Sequence, residues 1–198
     1  APYCEAAAVI TALVLLAVSR FYAARVPGVG YWTGANLALA IGLVILSLSK
    51  TANDLPARVL GNTLLVLTTA LYYLAIQRLL GDKPSKRLAI ATVAASGIVF
   101  ALLWASAAPY RLAVGALSIA LMVLTGLCAA RLLLPLTAEK PVSHRFTGLL
   151  FLLGCTLMTV RLGHAMFAVA PPANLFAPDF WHGMILGGTH ITVILMSL

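Results

Sequence analysis

The chain has 198 residues, of which 62% are hydrophobic and only 9% are charged, and its formal net charge is +8. Because a soluble domain carries about a quarter charged residues, this composition excludes an ordinary soluble fold and predicts an all-α membrane protein surrounded by the lipid bilayer. The basic residues fall in short connections, with no basic helix and no aromatic stacking platform. The positive charge therefore indicates membrane orientation and predicts no nucleic acid partner.

Seven apolar runs follow one another, each close to the roughly 20 residues that a helix needs to cross a bilayer. Pro56 and Pro109 open the third and fifth runs, where a proline suits the first helical turn. In the second run, Gly34, Ala38 and Gly42 recur every four residues, a spacing that favours close approach of a neighbouring helix. The predicted helices cover about residues 5–24, 31–49, 56–80, 86–106, 109–134, 146–170 and 179–198, with a polar connection at 136–144.

The charges of the connections predict the orientation of the chain. An odd number of spans puts the two termini on opposite sides of the membrane. With the N-terminus outside, nine basic residues fall in the cytoplasmic connections and three in the outer ones, which agrees with the positive-inside rule. The cytoplasmic set is Arg20, Arg25, Arg78, Lys83, Lys86, Arg87, Arg131, Lys140 and Arg145, and the outer set is Lys50, Arg58 and Arg111. We therefore expect the N-terminus outside and the C-terminus in the cytoplasm.

Three passages carry a resemblance to a known group of proteins. They are YWTGAN at residues 31–36, the run 60–81 that begins LGNTLL and ends QRLLG, and HRFTGLLF at residues 144–151. With these passages, nearly the whole chain resembles the N-terminal membrane regions of bacterial GGDEF diguanylate cyclases. The resemblance implies a single transmembrane sensory domain over residues 1–198, in the bacterial inner membrane, and a homodimer in which two cyclase sites meet.

The resemblance also implies a cytoplasmic cyclase domain that makes cyclic di-GMP after the last helix. This chain contains neither the GGDEF signature nor a soluble domain, so no catalytic residue is assigned and the full-length protein is expected to be the diguanylate cyclase. The seventh predicted helix stops at Leu198 without charged or aromatic interfacial residues, and we therefore expect further sequence after it.

The last two predicted helices carry strongly polar side chains where lipid should exclude them. They are Arg161 and His164 in the sixth helix and His182 and His190 in the seventh. With a rise of about 1.5 Å per residue, His164 lies roughly 9 Å and His182 about 5 Å below the outer ends of their helices. Arg161 and His190 lie about one layer deeper. Ionisable residues at membrane depth are costly, so these four predict a functional site.

Two histidines that face each other from neighbouring helices can hold a six-coordinate haem, one on each axial side. The glycines beside the histidines are Gly163, Gly183, Gly187 and Gly188. Such glycines would let a macrocycle lie close to a helix, and Arg161 could pair with a propionate. The candidate iron ligands are His164, His182 and His190, and because no CxxCH is present the haem would be b-type. The signal would then be a redox change or a small gas.

These polar residues also have structural interpretations. A histidine near a membrane interface more often caps a helix, bonds across helices or lines a wet crevice than binds a metal. Interhelical hydrogen bonds are the favoured role of Asn36, Asn62 and Gln77. A second functional hypothesis is a small-solute transporter or permease, in which Arg161 and the histidines line a polar pathway.

Overall fold

The protein is described by a computed structural model over residues 27–48, 55–106, 108–134 and 141–167, and these residues form helices and short connections without strands. The helices are α1 (Val29–Leu48), α2 (Leu55–Leu79), α3 (Lys86–Ala105), α4 (Tyr110–Leu133) and α5 (Val142–Phe167). They match the second to sixth predicted helices. The first and seventh, predicted at about 5–24 and 179–198, lie outside the described residues.

All five described helices are long and apolar enough to cross a membrane. Large apolar side chains are exposed on each helix, among them Ile41, Leu60, Ile98, Val123 and Phe146. Such a surface suits lipid because acyl chains are as apolar as these side chains. The all-helical, membrane-compatible character of the described part is thus confirmed, whereas the count of seven helices and the orientation stay predictions.

Threonine hydroxyls within the described ranges all bond to the backbone of their own helix. Each hydroxyl donates to the carbonyl four residues earlier, as Thr68 does to Leu64 at 2.9 Å and Thr156 to Leu152 at 3.0 Å. The other seven are Thr33, Thr63, Thr69, Thr92, Thr125, Thr147 and Thr159. The helices therefore satisfy these polar groups without help from water or from a neighbouring helix.

The chain divides into two compact units, Ala1–Ala107 and Ala108–Leu198. In the first unit, α2 contacts both α1 and α3. Within the spans, 61% of α2 is buried but only 17% of α3, so α2 is the central helix of its unit and α3 is mostly surface. Whether the two units together form one sensory domain stays a prediction.

The contact between α1 and α2 is made close by glycines. A Cβ added at Gly42 would lie 3.1 Å from Leu64 Cβ, and one added at Gly61 would lie 2.5 Å from Leu46 Cγ. Only glycine permits so short a separation of the two backbones. The predicted small-residue spacing in α1 does lie against a neighbouring helix, with Gly34 placed against Leu71 at 3.6 Å.

In the second unit, α4 and α5 pack as an antiparallel pair. Gly148 near the start of α5 lies against Leu133 near the end of α4, with 2.9 Å between an added Cβ and the leucine side chain. Further along, the Cys155 thiol donates to the Met122 carbonyl at 3.5 Å, and the Thr159 hydroxyl lies 3.2 Å from the Met122 sulfur. Side-chain sulfur and hydroxyl groups therefore join the middle of this interface.

The start of α5 differs from the prediction. The sequence predicts a polar connection at 136–144 and a helix from 146, but α5 begins at Val142. The Pro141 carbonyl accepts hydrogen bonds from the amides of His144 and Arg145, at 3.0 and 3.4 Å. Polar residues at the end of a membrane helix can stay helical in the headgroup layer, since that layer solvates their side chains.

Candidate functional site

Arg161 and His164 lie near the C-terminal end of α5. The Arg161 side chain is 4% exposed, whereas His164 is half-buried. Along the helix axis the two residues lie roughly 9 Å and 4.5 Å before Phe167, at about 1.5 Å per residue. Neither side chain is without a partner, as expected for a guanidinium buried in an apolar helix.

His164 projects on the side of α5 away from α4, and Arg161 projects on the flank between that side and α4. The side that faces α4 is defined by its contacts, since Cys155 lies against Gly126 and both Leu162 and Met166 lie against Gly115. With about 100° of rotation per residue, Arg161 is roughly 120° from the middle of this side and His164 roughly 180°. They are about 60° from each other, so they share one face, as the sequence predicts. A ligand at His164 would therefore lie outside the α4–α5 interface.

The buried side of α5 extends from the contact with α4, where Gly154 lies against Thr125 at 3.9 Å, round to Arg161. Its positions recur every three or four residues and are Leu150, Gly154, Met158, Arg161 and Ala165. Arg161 therefore belongs to a buried surface, and His164 lies at the margin of that surface.

Part of the predicted haem site can be compared with the structure. No described residue lies within 4 Å of a Cβ added at Gly163, and the neighbouring His164 is partly exposed. His182 and His190, the other two candidate ligands, lie outside the described residues, so their pairing with His164 stays a prediction.

The methionines of α5 have packing roles. Met158 is 3% exposed, and the Met166 sulfur lies 3.8 Å from a Cβ added at Gly115. Met158 therefore fills interior space, which is the usual role of this flexible residue, whereas Met166 touches α4 and remains 46% exposed.

Two polar contacts lie outside this face, and the sequence predicted a hydrogen bond for only one of them, that of Gln77. The Arg58 guanidinium lies 5.0 Å from the centroid of the Trp104 ring, which joins α2 to α3 through a cation–π contact. The Gln77 side chain accepts hydrogen bonds from the amide and hydroxyl of Ser85 at 2.8 and 3.0 Å. A glutamine in the last turn of a helix, followed by glycine and a serine N-cap, is the only sequence signal of this second contact.

No protein-family model, no curated protein and no solved structure matches this chain. The resemblance to the membrane regions of diguanylate cyclases therefore stays a prediction.

Proposed function

We propose that the chain is a transmembrane signal-sensing module that controls a cytoplasmic diguanylate cyclase output. The observation that carries the proposal is the buried Arg161 with the half-buried His164 beside it on one face of α5. A buried guanidinium in an apolar helix is costly, and such residues mark sites of ligand binding or charge movement. The resemblance to cyclase membrane regions supports the nature of the output.

The sensing step requires that the signal favour one arrangement of the helices over another. A ligand that binds both arrangements equally shifts nothing, however tight its binding. On this proposal, Arg161 and His164 supply the difference because a guanidinium and an imidazole recognise charge and polarity. Helix α5 transmits that difference to the last predicted helix, at 179–198, and thence to the cytoplasm.

In its most specific form, the sensing group is a b-type haem. His164 would supply one axial ligand, His182 or His190 the other, and Arg161 would neutralise a propionate. When bound, the haem would supply a redox change or the binding of a small gas. The contribution of the chain would be to hold the macrocycle and to exclude water from it.

An absorption spectrum tests the haem. Protein purified after expression with ample haem should show a Soret band that shifts on reduction, and His164→Ala should abolish or strongly alter it. His144→Ala is the matched control, because His144 is a half-buried histidine at the opposite end of the same helix. Absence of a Soret band in the unmodified protein removes the haem and leaves the sensor proposal in place.

Cellular cyclic di-GMP tests the sensor itself. Expression of the full-length gene product should change the cyclic di-GMP level, and Arg161→Met should alter the response by about fivefold or more, the usual size of an allosteric coupling. Arg145→Gln removes an exposed arginine of α5 and should leave the response unchanged. If the gene encodes no cyclase after Leu198, the output part of the proposal is wrong.

A small-solute transporter or permease is the alternative that the same face supports. Here the partly exposed His164 beside buried Arg161 would line a polar pathway. Solute uptake into proteoliposomes that is lost in Arg161→Ala would favour it. Failure to transport, together with a downstream cyclase, would count against it.

A further inference from the structure

The connection between α2 and α3 is a short turn with a defined backbone. Gly81 adopts a φ of +82°, a left-handed conformation that suits glycine. The Asp82 amide donates to the Gln77 carbonyl at 2.8 Å and the Gly81 amide donates to the Arg78 carbonyl at 3.2 Å. This pair of bonds is the Schellman arrangement that ends a helix sharply. The chain therefore turns back at once after Leu79.

A buried side chain holds the other end of the turn. Gln77 is 3% exposed, and its carboxamide oxygen accepts hydrogen bonds from the amide and the hydroxyl of Ser85, the residue before α3. Because both ends of the connection are tied to the last turn of α2, the side chains it carries are held in one place. Such preorganisation lowers the cost of binding a ligand.

Basic side chains are concentrated here. Exposed side chains of Arg78, Lys83, Lys86 and Arg87 accompany a single carboxylate, that of Asp82. We call residues 78–87 the basic loop. The four cations share one small surface at the ends of two membrane-compatible helices.

The basic loop lies at the depth of the lipid headgroups. The spans on either side end at Leu79 and begin at Lys86, so every cation of the loop is within about one helical turn of a span end. The headgroup layer is roughly 5–7 Å thick on each side of the hydrocarbon core. Exposed apolar side chains at Leu79, Leu88 and Ile90 adjoin the cations and would face the acyl chains. This combination of cations and apolar side chains is complementary to a phospholipid, which has a phosphate in the headgroup layer and acyl chains in the hydrocarbon core.

We propose that the basic loop is a binding site for anionic phospholipid headgroups. The cations attract the phosphate and the net negative charge of the lipid, and arginine can bind phosphate oxygens in a bidentate manner. The site is separate from Arg161 and His164 and is independent of what those residues sense. It predicts that the chain selects anionic lipids in the leaflet that touches the loop.

Lipid selection can be measured on the whole chain in nanodiscs of equimolar phosphatidylglycerol and phosphatidylcholine. The association of spin-labelled phosphatidylglycerol relative to spin-labelled phosphatidylcholine should show a clear preference for the anionic lipid. Raising the ionic strength should weaken the preference, because the screening length falls from about 10 Å at 0.1 M to about 3 Å at 1 M. An unmodified chain without any preference would overturn the proposal.

Two paired variants locate the site. Arg78→Gln with Arg87→Gln, and Lys83→Gln with Lys86→Gln, should each lower the preference by at least about fivefold, the effect of one cation near a charged membrane. Arg78→Lys with Arg87→Lys retains the charge and should keep most of the preference. Because all these positions are exposed, the thermal stability of the variants should match that of the parent.

Arg111→Gln is the matched control. Arg111 is an exposed arginine at the start of α4, and the whole of α3 lies between it and the basic loop in the sequence. Its loss should leave the preference unchanged, and an equal fall in this variant would mean that any exposed cation suffices. Inorganic phosphate at the concentration of the lipid should not displace phosphatidylglycerol. Displacement would assign the loop to a soluble anion and overturn the proposal.

Discussion

The α1–α2 contact and the α4–α5 contact are both close, but different atoms make them close. Backbone atoms take part in the contact between α1 and α2: a Cβ added at Gly28 would lie 2.6 Å from the Ala75 carbonyl oxygen, and one at Gly42 would lie 3.3 Å from the Gly61 oxygen. Between α4 and α5 the atoms nearest to the glycines all belong to side chains, from Leu133, 2.9 Å from a Cβ added at Gly148, to the Cys155 sulfur, 3.6 Å from one added at Gly126.

The difference bears on which helix can move. A side chain can change rotamer at modest cost, whereas two backbones in contact can separate only if the helices themselves shift. At Cys155, Leu162 and Met166, α5 can therefore adjust its position against α4 more readily than α1 can against α2 at Gly42 and Gly61. The helix that carries Arg161 and His164 is the adjustable one, which supports the proposed role in sensing.

The largest expected effect is at the backbone contact of the first unit. Gly28 has a φ of +92°, and a Cβ there would collide with the Ala75 carbonyl. Gly28→Ala should lower the free energy of unfolding in detergent by about 2–4 kcal/mol, from backbone strain and overpacking together. Gly30→Ala is the control, because nothing lies within 4 Å of its Cβ, and it should change stability by less than about 0.5 kcal/mol. Equal losses of unfolding free energy in Gly28→Ala and Gly30→Ala would contradict the importance of the backbone contact at Gly28.

Gly61→Ala should have the next largest effect. The new methyl group would overlap Leu46, at 2.5 Å from its Cγ, and the expected loss in the free energy of unfolding is about 1–3 kcal/mol. In a Leu46→Ala background the same change should cost less than about 0.5 kcal/mol, which shows whether this overlap is the cause. Gly34→Ala, with an ordinary 3.6 Å contact to Leu71, should be tolerated.

The contact of Arg58 with Trp104 tests how much a polar group adds to the first unit. Arg58→Met keeps the aliphatic stem and removes the cation, and should cost about 0.5–1 kcal/mol of unfolding free energy. In a Trp104→Leu background, Arg58→Met should lower the free energy of unfolding by less than it does in the parent. Arg111→Met supplies the control, since Arg111 is exposed and begins a different helix. An undiminished cost without Trp104 would show that Arg58 acts through other contacts.

The smallest expected effect is at the side-chain contact of the second unit. Thr159→Val and Met122→Leu, combined in a double-mutant cycle, should show a coupling of about 0.6 kcal/mol, typical of polar contacts between membrane helices. Thr156→Val is matched to Thr159→Val, because the Thr156 hydroxyl bonds to the Leu152 carbonyl of the same helix. A coupling of several kcal/mol would mean that α4 and α5 are held as rigidly as α1 and α2.

Four of the described helices could be predicted from the sequence to within two residues at each end. Long apolar runs bounded by proline, glycine and charge define them, and Pro56 and Gly81 fall where such residues suit a helix start and end. The start of α5 was wrong by four residues, because Ser143, His144 and Arg145 are polar and yet helical. Hydropathy alone does not separate a polar connection from a helix end that extends into the headgroups.

The candidate site could be predicted only in part. The spacing of Arg161 and His164 places them on one face of a helix whatever surrounds it. How that face is oriented relative to α4 depends on the packing of the two helices. This packing is determined by the contacts of Gly115, Gly126 and Gly148 with particular side chains. Similarly, the small residues of α1 predict a close neighbour but not that Gly61 would be opposite Gly42. The fit of two helices depends on the side-chain volumes of both, so the sequence of one helix alone does not reveal which residues will be opposite each other.

The hydrogen bonds of the threonines have a consequence for the order of assembly. Every threonine in the described ranges satisfies its hydroxyl on its own helix, as Thr63 does on Val59 at 2.7 Å. Each helix can therefore enter the bilayer singly, with no threonine hydroxyl waiting for a neighbour. Packing then follows as a second stage, in which Gly42 meets α2 and Gly148 meets α4 among helices already inserted.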